Sequence, residues 1–178
     1  MRQVCKLLAT LLVCTVCLVA CATQQSDELD LPRPATDINS GVPLVWPLCA
    51  EVVSTFGYRT DPFTGRTALH SAIDIGRAEG IAVVAAAAGE VIAAEERGPY
   101  GLMIEIDHGG GVRTRYGHLK EMNVVLGQHV ASGQRIALTG ASGRALSPHL
   151  HFELWVGDQQ RDPLARLNPE ECRAALVK

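Results

Sequence analysis

Hydrophobic and polar positions divide the chain into three regimes. Leu7 to Ala20 is an almost unbroken apolar run preceded by Arg2 and Lys6. Residues 22–43 are polar and proline-punctuated, as in Leu31-Pro32-Arg33-Pro34, with no sustained period of 2 or 3.6. From Trp46 onward, short apolar stretches are interrupted by glycine about every ten residues, the pattern of an antiparallel sheet protein. Strands are predicted over Gly89–Ala94 and Leu102–Asp107, around the turn Arg97-Gly98-Pro99-Tyr100-Gly101. Gly109-Gly110-Gly111 reads as a hairpin tip leading into a strand over Val112–Leu119. The clearest alternation is His149-Leu150-His151-Phe152-Glu153-Leu154-Trp155-Val156. As a strand it puts His149, His151, Glu153 and Trp155 on one face and Leu150, Phe152, Leu154 and Val156 on the core face. One helix closes the chain, with Asn168 as cap, Pro169 at its first position and Glu170 and Glu171 in its first turn. The expected fold is mainly β, an antiparallel sheet or sandwich with a short C-terminal helix.

At about 14 apolar residues the first run is short for a bilayer span and fits a secretory leader. It ends Leu18-Val19-Ala20-Cys21, which resembles the lipobox of bacterial lipoproteins: a small residue before the cut, then a cysteine whose thiol can carry a diacylglycerol. Polar Thr23-Gln24-Gln25-Ser26 follows at once. Three segments are therefore expected: a leader over 1–20, a lipidated Cys21 with a flexible tether over 21–43, and a folded domain over 44–178. Acyl chains would hold the protein at a membrane surface, and a tether of some 22 residues could reach about 75 Å. Ala22 after the cysteine resembles the pattern of lipoproteins sent on to the outer membrane, so the expected location in a Gram-negative cell is that membrane's periplasmic side.

Composition narrows the partners. The formal charge of the 178 residues is -3, and loss of Arg2 and Lys6 with the leader leaves 14 of the 16 basic residues against 19 acidic ones, a charge of -5. With no basic stripe and aromatics at only 4%, nucleic acid is not an expected partner. A domain of this size buries roughly 70% of the surface its unfolded chain exposes, so it needs no metal to fold and a metal site would be functional. Of the six cysteines, Cys5, Cys14 and Cys17 leave with the leader and Cys21 is lipidated. Cys49 and Cys172 remain near the two ends of the domain, as a disulfide of an exported protein or as two independent buried thiols.

Candidate chemistry lies in the histidines. His149 and His151, about 7 Å apart on one strand face, can hold a metal with one ring and serve it with the other. His70-Ser71-Ala72-Ile73-Asp74 offers a second pair; in a straight strand these would lie about 13 Å apart, too far for one ion, so a bend is required between Gly65 and Gly76. The third piece is Tyr116-Gly117-His118-Leu119. Taken alone, the first fragment is as compatible with a structural role as with a metal, and a His and an Asp four apart are more often surface residues than ligands. His108 and His129 sit beside turns and read as structural or solvent-facing. No G-x-S-x-G elbow or phosphate-cradling glycine motif is present.

In this order, the motifs H-x-x-x-D, Y-G-H-L and H-x-H within Pro148-His149-Leu150-His151-Phe152-Glu153 resemble the lysostaphin and LytM-type zinc metallopeptidases of bacterial cell walls. Phe56-Gly57-Tyr58-Arg59-Thr60-Asp61-Pro62-Phe63-Thr64-Gly65 and Gly140-Ala141-Ser142-Gly143 also look familiar, and the resemblance runs from about Trp46 to Pro169. It implies a duplicated hybrid motif fold, one zinc held by His70, Asp74 and His151, and catalytic roles for His118 and His149. Three protein ligands leave a fourth tetrahedral position open, the mark of a catalytic zinc. With no H-E-x-x-H glutamate, His118 or His149 must take the proton of water or stabilise an oxyanion. Glu153 is expected to support the site rather than act as the base.

The implied activity is endopeptidase cleavage of peptidoglycan stem peptides or cross-links. The alternative is a LytM-type lipoprotein that binds peptidoglycan without cutting it and activates cell-wall amidases or division proteins. Arg59 and Arg144, flanking the motifs, are candidates to pair with substrate carboxylates. Ala72 and Ser147 stand where the family usually has glycine, so a positive φ at either would distort the site.

Overall fold

The alternation at His149–Val156 forms the axis of the fold. This computed structural model describes residues 41–76 and 78–176, with side chains through Cys172; the leader, Cys21 and tether residues 22–40 lie outside the described residues. In chain order the strands are β1 (Val52–Ser54), β2 (Gly57–Thr60), β3 (Thr67–His70), β4 (Ile73–Ile75), β5 (Ala82–Val84), β6 (Gly89–Glu96), β7 (Leu102–Asp107), β8 (Val112–Met122), β9 (His129–Val130), β10 (Arg135–Thr139), β11 (Leu150–Val156) and β12 (Gln159–Arg161). Helix α1 (Pro169–Leu176) follows. Ten strands make one antiparallel sheet, with β1, β4, β11, β8, β7, β6 and β9 as successive neighbours. β10 pairs with both β5 and β8, β12 pairs with β11, and β2 and β3 form a separate hairpin.

The pleat of β11 sorts its residues as the sequence requires. Leu150, Phe152 and Leu154 are fully buried, beside Ile73 and Ile75 of β4 and Ile104 and Ile106 of β7. Each such side chain contributes roughly 1.5–3 kcal/mol by leaving water. Tyr116 also belongs to this core: its ring packs on Phe152 at 5.3 Å, and its hydroxyl accepts from the Ala86 amide and the Thr114 hydroxyl, both at 2.8 Å. Burial pushes its pKa up to about 12.

β8 runs three residues beyond the expected Leu119, because its partner changes. Residues Val112 to Gly117 pair with β11, whereas Leu119, Glu121 and Met122 pair with β10. His118 is the changeover residue.

The two ends of the domain meet. Leu44 bridges Leu167, and the Trp46 indole donates to the Asn168 carbonyl at 2.7 Å. Val42 packs on the core and its carbonyl accepts from Arg166 at 3.1 Å, so ordered packing begins before the expected boundary at residue 44. Asn168 caps α1 by accepting from the Glu170 amide at 3.1 Å. Cys49 and Cys172 are neighbours here but not bridged: both are free thiols in contact with each other. Burial and the adjoining Cys49 push the Cys172 thiol up to about 12.

Candidate metal centre

Three adjacent strands, β4, β11 and β8, bring the predicted residues together through their register. His151 of β11 lies directly opposite Asp74 of β4 on one side and Gly117 of β8 on the other, with His118 next along β8. His149, just ahead of β11, bridges Gly140. The bend required between His70 and Asp74 falls at Ser71-Ala72, between β3 and β4. All five residues line one open cleft of about 580 Å³.

Hydrogen bonds to carbonyls fix the ring nitrogens, because a carbonyl only accepts. His70 Nδ1 donates to Thr55 O at 2.9 Å, His118 Nδ1 to Ser142 O at 2.8 Å, and His149 Nδ1 to Ser147 O at 2.8 Å. In its neutral form each of the three rings therefore carries its lone pair on Nε2. His70 Nε2 is buried without a hydrogen-bond partner, although it lies 3.2 Å from Asp74 Oδ1. His151 Nδ1 is 3.1 Å from the same oxygen, and His149 Nε2 is 3.6 Å from it. Metal bonds of about 2.0–2.2 Å set tetrahedral ligand atoms roughly 3.4 Å apart. The donor atoms of His70, Asp74 and His151, all within 4.8 Å of one another, fit a small cation, and it would engage the orphaned His70 nitrogen.

Burial disfavours charge on His151, but hydrogen bonds and attraction from Asp74 and Glu153 overcome it and raise the imidazole to about 9. Burial likewise pulls Asp74 up, and the contacts with His151 and His70 outweigh it, leaving the carboxyl well below its usual range. His118 is pushed down to about 4, first by burial and then by its histidine neighbours.

Glu153 is saturated. Oε1 accepts from the Tyr100 hydroxyl at 2.9 Å and faces His151 Nε2 at 3.2 Å; Oε2 accepts from the Trp155 indole at 2.7 Å and from Arg115 at 3.2 Å. These contacts outweigh its burial and hold the carboxyl at about 2. With its lone pairs occupied it orients His151 so that Nδ1 faces Asp74, and it has no free oxygen to act as a base. Arg115 extends the support by stacking over Tyr100 and Trp155 and pairing with buried Glu105 at 2.9 Å. Tyr100 and Arg115 were not legible as site residues. The available signal was period 2 in Arg113-Thr114-Arg115, which sets Arg115 opposite Glu153.

His118 has φ 59, the one positive value among the described non-glycine residues. Strain of this kind persists only where the surroundings enforce it. Here the clamp is Ser142, whose carbonyl accepts a hydrogen bond from His118 Nδ1–H while its hydroxyl donates to Leu119 O at 2.6 Å and accepts from the Leu102 amide at 2.9 Å. Gly143 permits it: with φ 69, a methyl there would overlap the Gly101 backbone nitrogen and approach Pro99 O at 2.6 Å. Gly143→Ala is expected to cost about 2 kcal/mol or more, read as a lower urea midpoint; a wild-type midpoint would remove this requirement. Ala72 and Ser147 have no positive φ, so neither position needs glycine and the anticipated distortion is absent.

The two flanking arginines part ways. Arg144 Nη2 reaches both oxygens of Asp61, at 2.8 and 3.0 Å, and its guanidinium lies 4.4 Å over the Phe63 ring. It ties the β2–β3 hairpin to the 140–149 loop and is not free for a substrate carboxylate, as the sequence had suggested. Arg59 points into the cleft toward Asp74. His108 and His129 lie outside the cleft: His108 bonds Ala88 O and Thr114, and His129 is exposed.

Comparison with known proteins agrees with this geometry. Residues 68–163 match peptidase family M23. Peptidoglycan DD-endopeptidase ShyB of Vibrio cholerae is 39% identical over 106 residues, 60% of this chain and 25% of that protein. The chain spans about a quarter of the length of the curated relatives it matches. A zinc-containing peptidase from Vibrio cholerae superposes with a TM-score of 0.60 at 38% identity, over 64% of this chain and 35% of that one. The catalytic domain of lysostaphin from Staphylococcus simulans superposes with a TM-score of 0.60 at 26% identity, over 65% of this chain and 90% of the other. The antiparallel fold, the match over more than half of the sequence and the lysostaphin-type architecture make this chain a member of peptidase family M23.

Proposed function

We propose that the chain is a zinc-dependent metalloendopeptidase that hydrolyses amide bonds in the stem peptides or cross-links of peptidoglycan. The observation that carries this reading is the convergence of His70 Nε2, Asp74 Oδ1 and His151 Nδ1 on the wall of an open cleft. Two imidazoles and one carboxylate suit zinc, and binding would displace the Nδ1 proton of His151. Zinc, when bound, polarises a carbonyl and lowers the pKa of water. The protein's own groups handle the proton. His118 and His149, with ring centroids 4.8 Å apart, each keep Nδ1–H on a carbonyl and Nε2 free to take a proton from attacking water and return it to the leaving amine. An imidazolium so formed would donate to the developing oxyanion. Exposed Phe63, Leu69 and Leu146 give the cleft an apolar rim against which a peptide can lie.

The proposal includes export, a lipid on Cys21 and placement on the periplasmic face of the outer membrane, supported by Leu18-Val19-Ala20-Cys21-Ala22. The alternative, a non-catalytic partner of cell-wall amidases or division proteins, does not need a complete ligand set.

The test is incubation of the purified protein with peptidoglycan sacculi, with zinc and with chelator, and identification of the released fragments by mass. Fragments cut at peptide bonds, lost with chelator and restored by zinc, are expected. Absence of cleavage by zinc-loaded protein would transfer support to the non-catalytic reading.

A further inference from the structure

Arg59 lies on β2, whose outward residues Tyr58 and Thr60 are exposed while Arg59 turns toward the cleft. Its side chain is 36% exposed, and Nη2 is 3.7 Å from Asp74 Oδ2, an ion pair longer than a hydrogen bond. Its Nε is buried and makes no hydrogen bond. Among the described residues the Arg59 guanidinium therefore has an ionic neighbour but no hydrogen-bonded partner, although a guanidinium offers five donors in a planar fork. The other arginine lining the cleft, Arg144, is already bound to both oxygens of Asp61. Asp74 presents Oδ1 to the histidines and Oδ2 to Arg59, so a cation held at Oδ1 would compete for the charge that Arg59 now shares.

We propose that Arg59 is a specificity determinant that binds a substrate carboxylate one residue from the scissile amide. This rests on the peptidase reading of the same cleft. The spacing suits it, since adjacent residues are separated by about 3.8 Å and Arg59 stands beside a residue of the metal centre. A peptide that carries a carboxylate next to the cleaved bond gains a charge-assisted, two-pronged contact. A neutral peptide, such as an all-glycine bridge, leaves the guanidinium unmatched.

The experiment uses the full zinc-loaded protein and two short peptides that end one residue past the scissile amide, one with a free carboxylate and one with a carboxamide. The wild type is expected to favour the carboxylate by about 10- to 100-fold in kcat/KM, mostly through KM. In Arg59→Gln that ratio falls toward one. Arg59→Lys, which keeps the charge and loses the fork, gives an intermediate ratio. Zinc content is measured for each variant, because a role limited to supporting Asp74 would lower zinc content and both rates together and leave the ratio intact. An unchanged ratio in Arg59→Gln, or no preference in the wild type, overturns the proposal. If the wild type cuts neither these peptides nor peptidoglycan sacculi, the peptidase reading fails separately. Calorimetry with the uncleaved pair then decides: tighter binding of the carboxylate peptide, lost in Arg59→Gln, supports the subsite, and equal binding overturns it.

Discussion

His70→Ala is expected to abolish metal binding and hydrolysis together. The ring contributes the buried Nε2 that has no hydrogen-bond partner, and its other nitrogen is committed to Thr55 O. His149 Nε2 stands 3.6 Å from Asp74 Oδ1, against 3.2 Å for His70 Nε2, and is not one of the gathered donor atoms, so it does not take over that position. Loss of an outer-shell partner alone typically costs 10–100-fold in metal affinity, so loss of a direct ligand should cost more than about 100-fold. Equilibrium dialysis against micromolar zinc should leave the variant nearly empty, while its metal-free unfolding midpoint stays close to that of metal-free wild type, because the apolar core is elsewhere. Undiminished sacculus cleavage by His70→Ala would refute the zinc assignment.

His118→Ala should separate chemistry from metal binding. Its Nε2 is not one of the three gathered donor atoms, so zinc content should remain at one per chain while kcat falls by about 10²–10⁴-fold. The backbone at this residue has φ 59, a conformation that burdens alanine as well as histidine. Asparagine tolerates that region better, so His118→Asn should recover stability without recovering kcat. If asparagine restored turnover, the histidine would be serving the backbone and not the proton.

The legible parts of the site were those encoded by local period. Alternation at His149–Val156 set two imidazoles and Glu153 against an apolar face; β11 holds His151 and Glu153 in that alternation, and His149 lies just ahead of it. The distance argument at His70 and Asp74 demanded a bend, which falls at Ser71-Ala72. Unread features depend on contacts between residues far apart in sequence. The partner change at His118 follows from β10 replacing β11 along β8, which no local pattern announces. Arg144 is claimed by Asp61, 83 residues earlier, so its charge alone suggested a freedom it does not have. Tyr100 looked like part of a turn; its hydroxyl reaches Glu153 only because the Gly98–Tyr100 turn sits over β11.

The register of β11 has a consequence for how this protein can vary. Slipping the strand by one position would exchange His151 for Leu150 or Phe152 and turn the ligand inward, because successive side chains face opposite ways. Insertions or deletions within β11, or within Val112–Gly117 beside it, should therefore eliminate the centre outright. The hairpin tip at Gly109-Gly110-Gly111 and the turn at Val125–Gln128 are exposed or nearly so and remote from the cleft, so they can change length without moving a donor atom. A library of single-residue insertions should divide along that line, with tolerated sites at the tips and none in the two strands that hold the histidines.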